Sequence, residues 1–276
     1  MRNDHEIHRT DRTYRTCSIS DKTMNDANWH YETARDHGLS FLDRLKACPR
    51  APDPFIYGAR LATAVSIRAA LRTYNRLEIV GREHLPRDGS FVLVANHASH
   101  LDAVALLSAL PLRSLHRAYS IAARDYFDKN RTRLALTAII ANVMLIDRKG
   151  VADLELCRRM LDERSSVLVM FPEGTRSING QAGIFRRGIG LLLAGSPYPV
   201  VPCHLDGTFK AWCKGSLIPR PARVRLAIGE PRTYQHVEPT DAGALNVCAD
   251  LRSAVLALAP KPQPQIARPI SQEAFQ

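Results

Sequence analysis

The chain has 276 residues, and its hydrophobic content of 45% is sufficient for a globular domain with a substantial core. Its 38 Lys and Arg residues outnumber its 27 Asp and Glu residues, which gives a formal net charge of +11. A charge of this sign suits either nucleic acid or an anionic lipid surface. We favour lipid, because basic and aromatic residues do not interleave as in an RNA-binding domain and no helix-turn-helix or zinc-finger spacing is present.

The cysteines and the apolar runs bear on the cellular compartment. The six cysteines are scattered without a Cys-x2-Cys pair, and no secretory signal precedes them, so we expect reduced thiols in a cytosolic protein. The longest apolar stretch, residues 134–146, includes Asn142 and falls short of the ~20 residues that a membrane span needs. The sequence therefore predicts a cytoplasmic protein whose contact with the inner face of the cell membrane is peripheral. We expect no metal and no cofactor.

Both ends of the chain are predicted to lie outside the folded domain. Residues 1–50 are polar, mixed in charge and without a sustained apolar period, so we expect a loosely ordered extension. Its four histidines are spaced irregularly, and we interpret them as solvated side chains. Met24 is an alternative start to Met1, since nothing before it resembles structure. Four prolines at the other end predict a flexible tail over residues 259–276.

A basic helix is predicted just before the main domain. Three prolines precede a helical pattern over residues 55–74. Basic residues recur at every fourth position beside its apolar face, namely Arg68, Arg72 and Arg76. Two interpretations of residues 51–76 remain open. The segment is either a basic amphipathic helix that lies on an anionic bilayer or a domain helix whose basic face is solvated.

From residue 77 to residue 258, apolar runs of strand length alternate with segments of helical length. Strands are predicted at residues 77–80, 91–95, 120–123, 143–146, 167–170 and 200–204. Helices are predicted at residues 102–110, 131–141, 151–164, 188–194 and 241–258. This alternation predicts an α/β fold in a single domain, a mainly parallel sheet flanked by helices. A surface loop is predicted over residues 210–221, with Trp212 interpreted as a packing residue.

Two motifs follow predicted strands, where sites form in open parallel sheets. The first motif is NHASHLD at residues 96–102, and the second motif is FPEGTRS at residues 171–177. The first supplies the imidazole of His97 with the carboxylate of Asp102 nearby. The second supplies a Pro and a Gly that shape a turn, and the fixed positive charge of Arg176. A general base at His97 and an anion-binding cation at Arg176, both at strand ends, predict a transferase that acts on an anionic substrate.

The spacing of His97 and Asp102 decides where each must lie. On a continuous helix a five-residue step leaves two side chains about 140° apart, so these two meet only if a turn precedes the helix. We therefore place His97 in the loop after the strand and Asp102 in the first turn of the next helix. Asp102 would then accept from one imidazole nitrogen and leave the other free as a general base. We interpret the adjacent Ser99 and His100 as cap or surface residues rather than as a nucleophile and its base.

Together the two motifs resemble those of the glycerolipid acyltransferase family, whose best-known members are 1-acylglycerol-3-phosphate (lysophosphatidic acid) acyltransferases. Weaker family blocks, in the expected order, extend the resemblance from about residue 77 to residue 231, at residues 80–86, 146–148, 200–202 and 224–231. The chain departs from the family pattern at four positions, where a Gly, an aromatic residue or apolar residues are usual: Asn142, Leu145, Cys203 and His204. Because the family's middle block is associated with acceptor binding, the acyl acceptor remains open.

The resemblance implies transfer of a fatty acyl group from a thioester, acyl-CoA or acyl carrier protein, to the free hydroxyl of a lysophospholipid. The first expectation is 1-acylglycerol-3-phosphate as acceptor and phosphatidic acid as product, a step of phospholipid biosynthesis. His97 would act as base without an acyl-enzyme, because the acceptor hydroxyl attacks the thioester directly.

The acceptor site is expected in the second motif. The planar guanidinium of Arg176 suits an acceptor phosphate, with Arg148 and either Arg186 or Arg187 as helpers. The resemblance implies that Glu173 and Gly174 shape the acceptor pocket, and we assign Thr175 to the same site. Backbone amides near His97 or Gly174 are the candidates for stabilising the oxyanion.

Three alternatives remain open at this point. In the first alternative, the acceptor is a lyso-aminolipid or a glycolipid instead of a lysophospholipid. In the second, the same His and Asp serve a thioester hydrolase, which needs no acceptor. In the third, the chain is a non-catalytic basic protein that docks on an anionic membrane, so that the net charge matters for its function and His97 does not.

Overall fold

The computed structural model describes residues 54–123, 140–146, 151–216 and 218–260, all within one compact unit, Gly38–Gln276. Within these residues the strands are β1 Glu78–Val80, β2 Phe91–Ala95, β3 Ala118–Ala123, β4 Val143–Ile146, β5 Val167–Met170, β6 Val200–Asp206 and β7 Arg225–Ile228. The α-helices are α1 Pro54–Thr73, α2 Asp102–Ala109, α3 Val151–Arg164, α4 Arg187–Leu193, α5 Thr208–Trp212 and α6 Asp241–Ala257. The predicted N-terminal extension, most of the predicted helix 131–141 and most of the predicted tail lie outside the described residues.

One seven-stranded sheet organises the fold, in the order β1-β7-β6-β2-β5-β3-β4. Every neighbouring pair is parallel except β6 and β7, which are antiparallel. All five residues of β2 are buried, as expected for a continuous apolar strand in the middle of a sheet that is covered on both faces. The predicted α/β fold with a mainly parallel sheet is confirmed.

Helices cover both faces of this sheet, and β2 contributes to the core on each side. Val92 and Val94 point into a cluster that contains residues of α3, α4 and α6. Phe91, Leu93 and Ala95 point into the opposite cluster, which contains the apolar residues of α2. The two-residue alternation of a strand therefore ties the helical layers together through one central element.

Most element ends lie within one or two residues of the prediction, but two segments differ in kind. Residues Leu112–Arg117 form a 3-10 helix directly after Pro111, and β3 follows at once. The predicted loop over residues 210–221 is wrong at its start, because α5 extends to Trp212. Ala211 of α5 is buried in a small apolar cluster that also contains Leu71 of α1, and this burial favours the helical turn.

Helix α1 is held against the domain by two of its own arginines. Arg60 is 7% exposed and donates to the Leu115 carbonyl at 2.7 Å, while Arg68 donates to the carbonyls of Leu107 and Leu110 near the end of α2. Burial, reinforced by the charges of Arg82 and Arg72, lowers the pKa of the Arg68 guanidinium. Arg68, one of the three arginines of the predicted basic face, is thus partly buried and donates to helix-end carbonyls. No helix in the described ranges is long and apolar enough to cross a bilayer.

Asn142 shows how the chain accommodates one departure from the family pattern. Its φ is 47°, in the left-handed region that Gly adopts freely and that Asn tolerates better than most other residues. The buried side chain donates to the Ala118 carbonyl at 2.7 Å, and the Asn142 carbonyl accepts from Ser120. Asn142 therefore supplies both the backbone conformation and an extra hydrogen bond at the start of the β3 and β4 pair.

Two glycines of α4 provide a matched test of the packing between α4 and α6. A Cβ at Gly190 would lie 2.0 Å from the Ala244 carbonyl oxygen of α6, whereas a Cβ at Gly188 would meet nothing within 4 Å. We expect Gly190→Ala to lower the free energy of unfolding by about 1–3 kcal/mol or more through overpacking. Gly188→Ala is expected to leave it unchanged or to raise it by up to about 1 kcal/mol. Urea unfolding measures both, and equal effects of the two substitutions would contradict this packing.

Candidate active site

The two motifs meet at the carboxyl ends of two adjacent strands. The first motif follows β2 and the second follows β5, and these strands pair in parallel. The Ser177 amide donates to the His97 carbonyl at 2.7 Å, so the two loops are joined directly through their backbones. The sheet thus places both motifs where open parallel sheets form their sites.

His97 and Asp102 form a close pair. The imidazole Nδ1 lies 2.9 Å from Asp102 Oδ2, and the carboxylate is fully buried while the imidazole is 22% exposed. Asp102 is the first residue of α2, as the spacing requires, where the helix dipole favours a negative charge. Because a carboxylate only accepts, Nδ1 carries the proton and Nε2 is left with its lone pair.

The same carboxylate oxygen also holds the loop itself. Asp102 Oδ2 accepts from the amides of Ala98 at 2.7 Å and of Ser99 at 2.8 Å. The Ser99 hydroxyl accepts from the Leu101 amide and donates to the Trp212 carbonyl at 2.7 Å. Ser99 is therefore engaged in the structure of the loop. It is fully buried, and the N-cap of α2 is Leu101, so the interpretation of Ser99 as a cap or surface residue is wrong.

Phe171 supports the imidazole from one face. The rings of His97 and Phe171 are stacked, with centroids 4.1 Å apart and an interplanar angle of 18°. Stacking fixes the plane of the imidazole, and the bond to Asp102 fixes its rotation within that plane. Phe171 opens the second motif but is not among the predicted site residues.

The carboxylate of Glu173 faces the backbone of the first motif. Oε1 accepts from the His97 amide at 2.8 Å, and Glu173 is only 6% exposed. Burial raises the pKa of this carboxyl group above its ordinary value, and backbone hydrogen bonds from His97 and Gly183 partly offset the rise. Gly174 has a φ of 68°, a left-handed conformation that turns the chain directly after Glu173.

Arg176 lies against the ring of His100. Its Nη1 is 2.7 Å from Nδ1 of that ring and also contacts Nε2. The His100 ring in turn lies beside Trp212, at a centroid distance of 5.1 Å, so Trp212 packs as expected. The structure therefore brings the guanidinium of the second motif to the first motif, on the side of His100.

The other predicted basic residues have different surroundings. Arg186 holds the turn of the second motif, since its amide donates to the Pro172 carbonyl and its Nε to the Glu173 carbonyl, both at 2.9 Å. Arg187 pairs with Asp241 at the start of α6, at 2.8 Å. Thr175 is exposed, and Arg148 lies outside the described residues.

Four of the amides that we considered for the oxyanion are engaged inside the protein. The His97 amide donates to Glu173, and the next two amides donate to Asp102. The Gly174 amide donates to the Phe171 carbonyl at 3.0 Å. The expectation is therefore wrong for these four groups, because each has a partner before any substrate binds. Over the described ranges, no cluster of three or more His, Cys, Asp or Glu side chains is arranged to hold a metal ion.

The raised pKa of Glu173 predicts a specific pH dependence of stability. Between the ordinary pKa of 4.5 and the raised folded-state pKa, the folded chain binds more protons at this site than the unfolded chain does. Stability from this group therefore falls as the pH rises through that window and is constant above it. We expect the free energy of unfolding of the wild type, relative to Glu173→Gln, to decline over this window in urea titrations. A difference that rises with pH there would contradict the burial of an ionisable group at this position.

Comparison with known proteins supports a family assignment. Residues 76–206 match the family model described as acyltransferase. The 1-acyl-sn-glycerol-3-phosphate acyltransferase alpha of Bos taurus is 31% identical over 175 residues, which cover 62% of this chain and 58% of that protein. The protein of the same name from Homo sapiens is 30% identical over 175 residues, covering 62% and 59%. The chain thus spans less than two thirds of the length of these relatives.

A solved structure shares the fold. The crystal structure of the 1-acyl-sn-glycerophosphate (LPA) acyltransferase PlsC from Thermotoga maritima superimposes with a TM-score of 0.57 at 21% identity, covering 76% of this chain and 82% of that one. Both motifs lie inside the matched residues 76–206, at the ends of two adjacent strands of this sheet. The region of the chain that carries both motifs, residues 76–206, therefore matches the acyltransferase family.

Proposed function

We propose that this chain is an O-acyltransferase that moves a fatty acyl group from an acyl thioester to the free hydroxyl of a lysophospholipid. One observation carries the proposal: the imidazole of His97 is held by a buried Asp102 and by the Phe171 ring, with Nε2 as its basic nitrogen. The relatives named 1-acyl-sn-glycerol-3-phosphate acyltransferase support 1-acylglycerol-3-phosphate as the acceptor. The product would then be phosphatidic acid.

The geometry suits direct transfer without an acyl-enzyme. His97 Nε2 takes the proton of the acceptor hydroxyl as the hydroxyl oxygen forms its bond to the thioester carbonyl carbon. The carbon–sulfur bond then breaks, and the proton passes from the imidazolium to the departing sulfur. The charge of Asp102, 2.9 Å away, stabilises the imidazolium between these two transfers.

Arg176 is the residue that we propose to bind the phosphate of the acceptor. Its guanidinium is partly exposed on the side of His100, and a planar fork can donate two parallel hydrogen bonds to one phosphate. The exposed Thr175 adjoins it, and Arg148 remains a proposed helper. Arg187 is a weaker candidate than we expected, because its guanidinium pairs with Asp241.

We further propose a catalytic domain over residues 77–258 and a peripheral contact with an anionic membrane. The formal charge of +11 supports such a contact, and it equally suits an anionic donor, either acyl-CoA or acyl carrier protein. Helix α1 exposes several apolar side chains that suit a lipid surface, among them Phe55, Leu61 and Val65.

The first test compares wild type with His97→Ala, using a labelled long-chain acyl thioester and 1-acylglycerol-3-phosphate. We expect acyl transfer to fall on the order of 10² to 10⁴ fold, because the acceptor hydroxyl loses its base. The matched control is His236→Ala, an exposed histidine near the opposite edge of the sheet, which should transfer at the wild-type rate. Equal activity of His97→Ala and wild type would exclude the proposed mechanism.

Acceptor dependence separates the alternatives. Product that forms only with acceptor present identifies a transferase, whereas free fatty acid released at an unchanged rate without acceptor identifies a thioester hydrolase. Activity only with a lyso-ornithine lipid or a glycolipid would replace the proposed acceptor and retain the mechanism. Binding to anionic vesicles without turnover of any thioester would favour the non-catalytic alternative.

The second test concerns Arg176. We expect Arg176→Gln to raise the KM for 1-acylglycerol-3-phosphate by about 10- to 100-fold, because a charge-assisted bond to the phosphate is lost. The kcat at saturating acceptor should fall much less. Arg232→Gln serves as the matched control, since this arginine pairs with Asp250 and its amide donates to the Val200 carbonyl at the opposite edge of the sheet, so a small change in KM is expected. An unchanged KM in Arg176→Gln would remove this residue from the acceptor site.

A further inference from the structure

We propose that Glu173 is a positioning residue for the base and not a ligand of the acyl acceptor. Its carboxylate would hold His97 through the backbone, so that Nε2 is presented to the reacting hydroxyl in one orientation. This inference rests on the proposed function in that it takes His97 as the base. It differs from the expectation, implied by the family resemblance, that Glu173 shapes the acceptor pocket.

Both oxygens of Glu173 face the protein. Oε1 accepts from the His97 amide at 2.8 Å. Oε2 lies beside Gly183, where an added Cβ would come within 3.1 Å of it. With the residue 6% exposed and both oxygens against backbone groups, little of the carboxylate is accessible to a substrate.

Glu173 completes a set of contacts around a single residue. The second motif contacts His97 at its amide through Glu173, at its carbonyl through the Ser177 amide and at its ring through Phe171. Asp102 holds the imidazole and the next two amides. Three successive amides are thus accepted by two buried carboxylates, and Glu173 holds the first of them.

The charge of Glu173 also argues against acceptor binding. The proposed acceptor is a phosphomonoester, which is itself an anion. A second anion in a site with little water would repel that phosphate, because charges interact more strongly where the dielectric constant is low. An amide of the protein chain is a suitable partner for this carboxylate, and the structure shows such a partner in His97.

The decisive variant is Glu173→Gln, which keeps the shape of the side chain. An amide group has one acceptor oxygen, so its NH₂ must face either the His97 amide or the Gly183 backbone, and one of the two contacts becomes repulsive. We expect kcat to fall on the order of 10²-fold through misplacement of the base, with the KM for 1-acylglycerol-3-phosphate unchanged. An acceptor ligand would show the reverse split, a raised KM with a smaller change in kcat, as expected for Arg176→Gln.

Two further variants keep the test independent of folding defects. Gly183→Ala adds a Cβ 3.1 Å from Oε2 and should shift the carboxylate by a few tenths of an ångström, lowering kcat by a smaller factor than Glu173→Gln without raising KM. Glu230→Gln makes the same chemical change at an exposed position near the opposite edge of the sheet, and it should leave both parameters at wild-type values.

Hydrogen exchange of the His97 amide provides a readout that needs no activity. If Glu173 holds this amide, its exchange is faster in Glu173→Gln than in wild type and unchanged in Glu230→Gln. Unchanged exchange at His97, or a raised acceptor KM with kcat retained in Glu173→Gln, would overturn the inference. If wild type transfers no acyl group to any acceptor, the proposed function fails, while the exchange result still decides whether Glu173 holds His97.

Discussion

The parallel pairing of β2 with β5 is the constraint on which the site depends. Their register pairs Val94 with Met170, so the residues that follow each strand leave the sheet at the same level. His97 and Glu173 each lie three positions beyond that pair, and the amide of one donates to the carboxylate of the other. A slip of this register by one residue would separate them and would turn the apolar residues of β5 to the wrong faces. The geometry of the base is therefore set by the same pairing that builds the core.

Two buried carboxylates accept from three amides of an irregular loop in this site, while the second oxygen of Asp102, Oδ1, is buried without a hydrogen-bond partner in the described part of the chain. A carboxylate out of water is costly unless hydrogen-bonded, and so is a backbone amide in a loop that has left its sheet. Asp102 takes two amides and the imidazole, and Glu173 takes the remaining amide. Because these amides have partners within the protein, they are no longer available to a substrate oxyanion.

The elements of the fold could be predicted from the sequence because each depends on local pattern. Apolar runs of strand length located β2 and β5, and the two motifs after them located the site. The contact of His97 with Asp102 could also be predicted, since two residues five positions apart meet only if a turn lies between them.

What the sequence could not show depends on contacts between distant segments. The direction of the Glu173 side chain follows from the neighbouring loop, which a motif string does not specify. Arg68 has the spacing of a solvated basic stripe, yet α2 presents it with carbonyls of Leu107 and Leu110. The sequence likewise suggests that Arg186 is an unpaired basic residue, but its amide donates to the Pro172 carbonyl and its Nε donates to the Glu173 carbonyl.

These contacts show that several residues of the second motif hold His97. Phe171, Glu173 and Ser177 all contact His97, and Gly174 permits the turn between them. Arg176 and Thr175 are left as the residues of the motif with side chains that can meet an acceptor. Of the departures from the family pattern, Leu145 lies in β4 and Asn142 directly precedes it. Strands β5 and β3 lie between β4 and β2, so β4 is about 14 Å from β2 at the usual strand spacing. They therefore leave the base undisturbed, and any effect they have on acceptor choice acts at the far side of the site.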